Sequence, residues 1–124
     1  MSQPIAFIVE DDAQLSLIFT HAMREAGYDT EVFDEGQKVI PRLAEVKPYI
    51  VILDLHLPNV SGSEILNHIR AEESLKDIRV IVTSADASLS TDPVIEDKAN
   101  FVLIKPVRFA HLQRLAERLH PDQN

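Results

Sequence analysis

Four short runs of bulky apolar residues punctuate this chain, and each ends in groups that can bind ions or phosphate. Ile5-Ala6-Phe7-Ile8-Val9 runs into Glu10-Asp11-Asp12, and Tyr49-Ile50-Val51-Ile52-Leu53 into Asp54. Val80-Ile81-Val82 runs into Thr83-Ser84, and Phe101-Val102-Leu103-Ile104 into Lys105-Pro106. Asp29 to Phe33 reads as a short second strand in chain order. Continuous rather than alternating apolar character marks strands covered on both faces, as in a parallel sheet.

Helical spacing fills the intervals. Leu15, Ile18, Phe19, Ala22 and Met23 recur with a helical period after Asp12, and Gly27 stops that helix. Gly36 to Val46 carries Val39, Ile40, Leu43 and Ala44 on one face. Pro41 means that this helix is either kinked or starts late, with Pro41 in its first turn. Ser61 and Glu64 have capping-box spacing ahead of Ile65, Leu66 and Ile69, and Ile78 to Thr83 forms the fourth strand. Ala85 to Asp92 is polar, Asp92-Pro93 opens a short helix to about Ala99, and Phe109 to Leu119 forms the last helix before His120-Pro121. His21, His68, His111 and His120 read as surface residues of helix faces and ends.

Single helices alternating with strands predict an α/β fold: one doubly wound, five-stranded parallel sheet with five helices and right-handed crossovers. A length of 124 residues fits one domain, residues 1–124, with an ordinary core. Net charge is −8, which repels nucleic acid and anionic lipid, so neither is expected as a direct partner. Cysteine is absent, which excludes disulfides and thiolate metal sites. The apolar runs fall far short of the roughly 20 residues that span a bilayer. No signal peptide is expected at the N-terminus, and a cytoplasmic location is the expectation.

In such a sheet the strand ends share a rim, and ligands bind there. Glu10, Asp11 and Asp54 would meet at that rim and repel one another unless a cation sits among them. Mg²⁺ suits an all-oxygen site and keeps water ligands for a phosphate; Mn²⁺ is the substitute. Lys105 adds one positive charge, and with metal bound the resting site is neutral. Phosphoryl transfer needs little more than positioning and charge neutralisation. Asp54 stands alone at a strand end and suits the acceptor role, whereas adjacent Glu10 and Asp11 suit metal binding.

Taken together, Val9-Glu10-Asp11-Asp12, Leu53-Asp54-Leu55-His56-Leu57-Pro58 with Gly62, Val82-Thr83-Ser84-Ala85 and Lys105-Pro106 resemble the receiver domain of two-component response regulators. The resemblance runs from about Ile5 to Leu119. It implies that Asp54 is phosphorylated by the phosphohistidine of a sensor kinase or a histidine phosphotransfer protein. It implies Asp11 as direct metal ligand, Glu10 as a ligand largely through water, and the backbone carbonyl of His56 as a further ligand. Ser84 matches the switch hydroxyl that bonds the phosphoryl group, and Lys105 the lysine that pairs with it. The Lys105–Pro106 bond is implied to be cis, and a downstream effector protein or domain is the implied recipient of the signal. Beyond self-phosphorylation and self-dephosphorylation, no enzymatic activity is implied.

Two departures touch the signalling face. Val102 stands where the family usually places an aromatic residue, with Phe101 pointing to the opposite face. Lys98 precedes Ala99 where a glycine is usual, and the fourth helix is short. Phosphorylation is therefore expected to act through residues 85–99. The alternative reading is a pseudo-receiver that keeps the fold as an interaction module without phosphorylation. An aspartyl-phosphate phosphatase is set aside because His56 occupies the place of its second acid. The His56 side chain either tunes phosphoryl lifetime or faces solvent.

Overall fold

The computed structural model describes residues 3–122. Five strands, β1 (Ile5–Val9), β2 (Asp29–Phe33), β3 (Ile50–Asp54), β4 (Arg79–Ser84) and β5 (Phe101–Ile104), form one parallel sheet in the order β2-β1-β3-β4-β5. The helices are α1 (Ala13–Glu25), α2 (Val39–Leu43), α3 (Gly62–Ala71), α4 (Pro93–Lys98) and α5 (Phe109–Leu119). Strand β4 begins and ends one residue later than its pattern indicated, which brings Ser84 into the ladder.

The alternation of side chains along each strand divides the apolar runs between two cores. Phe7, Val9, Val51, Leu53, Val80 and Val82 face α2, α3 and α4, packing with Val39, Leu43, Ile65, Leu66, Ile69 and Ile95. Ala6, Ile8, Ile50, Ile52 and Ile81 face α1 and α5, packing with Phe19, Ala22, Met23, Leu112, Leu115 and Ala116. Each fully buried side chain of this size contributes roughly 1.5–3 kcal/mol. Removal of both sheet faces from water is the reason the central strands β1, β3 and β4 read as unbroken apolar runs, whereas the edge strands β2 and β5 stay partly exposed.

The helix ends follow from local chemistry. Asp12 caps α1, its Oδ1 accepting from the Gln14 and Leu15 amides at 2.9 and 3.0 Å. At the other end Gly27 takes a φ of 97° while the Tyr28 and Gly27 amides donate to the Met23 and Arg24 carbonyls. This is the left-handed stop that glycine favours. A 3-10 turn at Gly36–Lys38 leads into α2, so Pro41 sits in the first α-helical turn, where its missing N–H is not needed. Ser61 caps α3 by accepting from the Glu64 amide at 3.2 Å. Gly62 is required at the next position: a Cβ there would lie 2.2 Å from the Asp54 carbonyl oxygen. The absence of a side chain lets α3 begin directly against the end of β3.

The region before β5 is held largely by polar contacts. Residues Ala87–Thr91 form a 3-10 helix with no buried residue, and α4 buries only Ile95. Arg70 of α3 pins the far end, donating to the carbonyls of Lys98, Lys76 and Ile78 and to Asn100 Oδ1. The same Asn100 oxygen accepts from the Val80 amide at 2.7 Å. Val102 packs against the core on the α2–α4 side, whereas Phe101 is 40% exposed.

His120 departs from the surface reading. Its ring meets Tyr28 edge-on, with centroids 5.0 Å apart, and Nε2 lies 3.0 Å from the Gly27 carbonyl oxygen. The Tyr28 hydroxyl donates at 2.9 Å to the carbonyl of Ala116, one of the last four in α5, which lack a partner within the helix. Replacement Tyr28→Phe leaves that buried carbonyl unpaired and should lower stability by about 1–2 kcal/mol. Urea unfolding measures the loss, and an unchanged midpoint would show that the hydroxyl does not support α5.

Candidate functional site at the rim of the sheet

The strand order reverses between β1 and β3, and Glu10 and Asp54 flank that reversal. Both are buried, at 2% and 3% exposure, because the flanking helices close over the strand ends. Asp11 is exposed at the start of the β1–α1 loop. One carboxylate oxygen from each of Glu10, Asp11 and Asp54 lies within 4.8 Å of the others. The three residues grouped by sequence reasoning are thus together in space.

Lys105 enters from the end of β5, crossing β4 to reach the two buried acids. Its Nζ donates to Asp54 Oδ2 at 3.2 Å and lies 2.9 Å from Glu10 Oε1. The latter is a close ion pair. Glu10 Oε2 accepts from the Asp12 amide at 3.2 Å. The Lys105–Pro106 peptide bond is cis.

Burial dominates the electrostatics. It raises the Glu10 carboxyl to about 7, against the opposing pull of the Lys105 and Asp12 donors, and the Asp54 charge adds to the rise. Burial would lower Lys105, but its contacts with Glu10 and Asp54 outweigh this and hold the ammonium above its ordinary value. Three carboxylates against one ammonium leave an excess of negative charge that a divalent cation would cancel. The convergent, all-oxygen donor set of Glu10, Asp11 and Asp54 fits a hard cation such as Mg²⁺.

The Asp54 carboxylate is engaged on both oxygens, since Oδ1 accepts from the His56 amide at 2.9 Å. Ser84, at the end of β4, is fully buried and bonded to His56 Nε2 and the Asp86 amide, each at 3.0 Å. The His56 side chain therefore has a specific partner in this site. Thr83 lies opposite Asp54 in the register; its hydroxyl is buried and has no partner among the described residues. Neither feature leaves a mark in the sequence, because both depend on how two strand ends align.

A carboxyl that titrates higher when folded binds its proton more tightly in the folded state, so its contribution to stability falls as pH rises. Metal-free protein should lose stability between about pH 4.5 and about pH 7 on this account, then level off. Carbon-detected NMR of the Glu10 carboxyl reads the titration directly; a midpoint at the ordinary carboxylate value would contradict the burial argument.

The model of the response regulator receiver domain matches residues 6–117. The DNA-binding response regulator MtrA of Mycolicibacterium paratuberculosis is 29% identical over 101 residues, covering 82% of this chain and 44% of that protein. The chain thus spans less than half the length of that relative. Chemotaxis protein CheY-3 of Vibrio cholerae is 28% identical over 116 residues, covering 90% of this chain and 88% of that protein. The structure of a CheY-like response regulator receiver domain from Methylobacillus flagellatus superposes with a TM-score of 0.83 at 22% identity. That likeness covers 96% of this chain and 100% of the other, and speaks for the fold. With the family model matching most of its length and the same parallel sheet beneath, the chain belongs to the response regulator receiver domain family.

Proposed function

We propose that this domain takes a phosphoryl group onto Asp54 from the phosphohistidine of a sensor kinase or histidine phosphotransfer protein. The observation that carries the reading is the convergence of Glu10, Asp11 and Asp54 with Lys105 in hydrogen-bond contact with the acceptor. A pseudo-receiver has no need to bury two carboxylates, each of which costs several kcal/mol when unpaired.

In this reading an Asp54 oxygen attacks phosphorus, the P–N bond to the donor imidazole breaks, and an acyl phosphate forms. Glu10, Asp11 and Asp54, with the backbone carbonyl of His56, would hold Mg²⁺ or Mn²⁺. The cation supplies neutralisation of charge on the phosphoryl oxygens. Lys105 holds the Asp54 carboxylate in place before transfer, then shares the phosphoryl charge. The His56 amide on Oδ1 fixes the plane of the carboxylate, which favours attack along one line. Ser84 supplies a hydroxyl to the phosphoryl group once it arrives. The modified surface then alters binding to a downstream protein or domain. A net charge of −8 disfavours direct contact of this domain with nucleic acid.

Acetyl phosphate with Mg²⁺ should add one phosphoryl group by intact mass, and Asp54→Asn should abolish the addition. A wild-type mass that never changes would favour the pseudo-receiver instead. Asp11→Asn should weaken Mg²⁺ binding about tenfold or more, since even lesser perturbations of metal sites act on that scale. The variant should remain folded because Asp11 is exposed. An unchanged Mg²⁺ titration followed by NMR would remove Asp11 from the ligand set.

A further inference from the structure

Ser84 Oγ makes no hydrogen bond to Asp54 among the described residues, although both stand at neighbouring strand ends. It accepts the Asp86 amide at 3.0 Å and lies 3.0 Å from His56 Nε2. According to the tautomer, either the hydroxyl donates to Nε2 or the ring N–H donates to Oγ. Ser84 is fully buried and its hydroxyl is already engaged by these two partners. The His56 ring is exposed, so this bond rather than tight packing ties it to Ser84.

His56 also donates its backbone N–H to Asp54 Oδ1 at 2.9 Å. One residue thus bonds to the candidate acceptor through its main chain and to the candidate switch hydroxyl through its side chain. Asp86, the other partner of Ser84, caps the 3-10 helix at Ala87–Thr91 by accepting from the Ser88 amide at 3.0 Å. Ser84 Oγ is therefore also the anchor for the start of a segment in which nothing is buried.

We propose that the His56 side chain is a latch that holds the Ser84 hydroxyl in its resting position. A phosphoryl group on Asp54 competes with His56 for that hydroxyl. When Ser84 turns toward the phosphoryl group it releases both His56 and the Asp86 amide, and the segment from Ala87 to Thr91 loses its tether. The route passes from Asp54 through Ser84 to residues 86–91 and needs no aromatic ring at position 102, where Val102 packs against the core. This rests on the reading of Asp54 as acceptor and Ser84 as its hydroxyl partner, and adds His56 as a positioning residue that acts through Ser84.

The test uses Mg²⁺ with beryllofluoride, a stand-in for the phosphoryl group, followed by NMR titration, and amide exchange of Asp86 without either ligand. His56→Phe keeps a planar ring and removes the hydrogen bond. It should tighten beryllofluoride binding about two- to tenfold, the range expected when one such bond no longer has to break. The Asp86 amide should exchange faster in the same variant. His56→Gln keeps a polar group at a similar reach and should stay close to the wild type in both readouts. In a Ser84→Ala background His56→Phe should change nothing, which separates the latch from an effect of ring bulk. Equal gains in both backgrounds, or unchanged affinity and unchanged Asp86 exchange with wild-type binding intact, overturn the latch alone. A wild-type protein that binds no beryllofluoride overturns the acceptor reading and the latch together.

Discussion

Everything at the rim depends on one ammonium between two buried carboxylates. Lys105 lies 3.2 Å from Asp54 and 2.9 Å from Glu10, and both acids are almost wholly removed from water. Burying an ion costs several kcal/mol, more than a neighbouring side chain recovers unless the partner is close and well directed. One lysine serves two acids here. Burial raises the Glu10 carboxyl despite the nearby ammonium, and the Asp54 charge adds to the rise. Such a site has room in its charge balance for a further positive charge.

The sheet creates this arrangement cheaply because its interior carries the cost. Ile8, Ile52 and Ile81 on one face, with Phe7, Val51 and Val80 on the other, form a rigid platform that is fully covered by helices. The buried carboxylates sit at the last residue of a strand or the first of a loop, where backbone donors such as the Asp12 and His56 amides are available. Gly62 brings α3 against the end of β3 and closes the crevice from that side. Precision at the site is thus a property of strand register, not of the loops that decorate it.

Much of this was legible in the residues themselves. Continuous apolar runs announced strands with two buried faces, and the charged or hydroxyl residues that end them announced a shared rim. Ser61 and Asp92 cap helices as their spacing indicates. What escaped lies in contacts between segments distant in sequence. His56 reaches Ser84 across 28 residues, and His120 reaches Gly27 across 93. Arg70 ties α3 to the lead-in of β5 through carbonyl oxygens, which carry no side-chain identity to read. Periodicity reports which face of an element is buried; it does not report which side chain from another element meets it there.

The most direct test of the charge argument is the thermal unfolding midpoint as a function of Mg²⁺ concentration at pH 8, where Glu10 is ionised even without metal. A cation that binds the folded rim and not the unfolded chain must raise the midpoint in step with its concentration. The account predicts such a rise for the wild type, and a much smaller one for Glu10→Gln, which removes one of the converging charges. A midpoint indifferent to Mg²⁺ would mean that Lys105 alone satisfies the acids and that the rim is not a cation site.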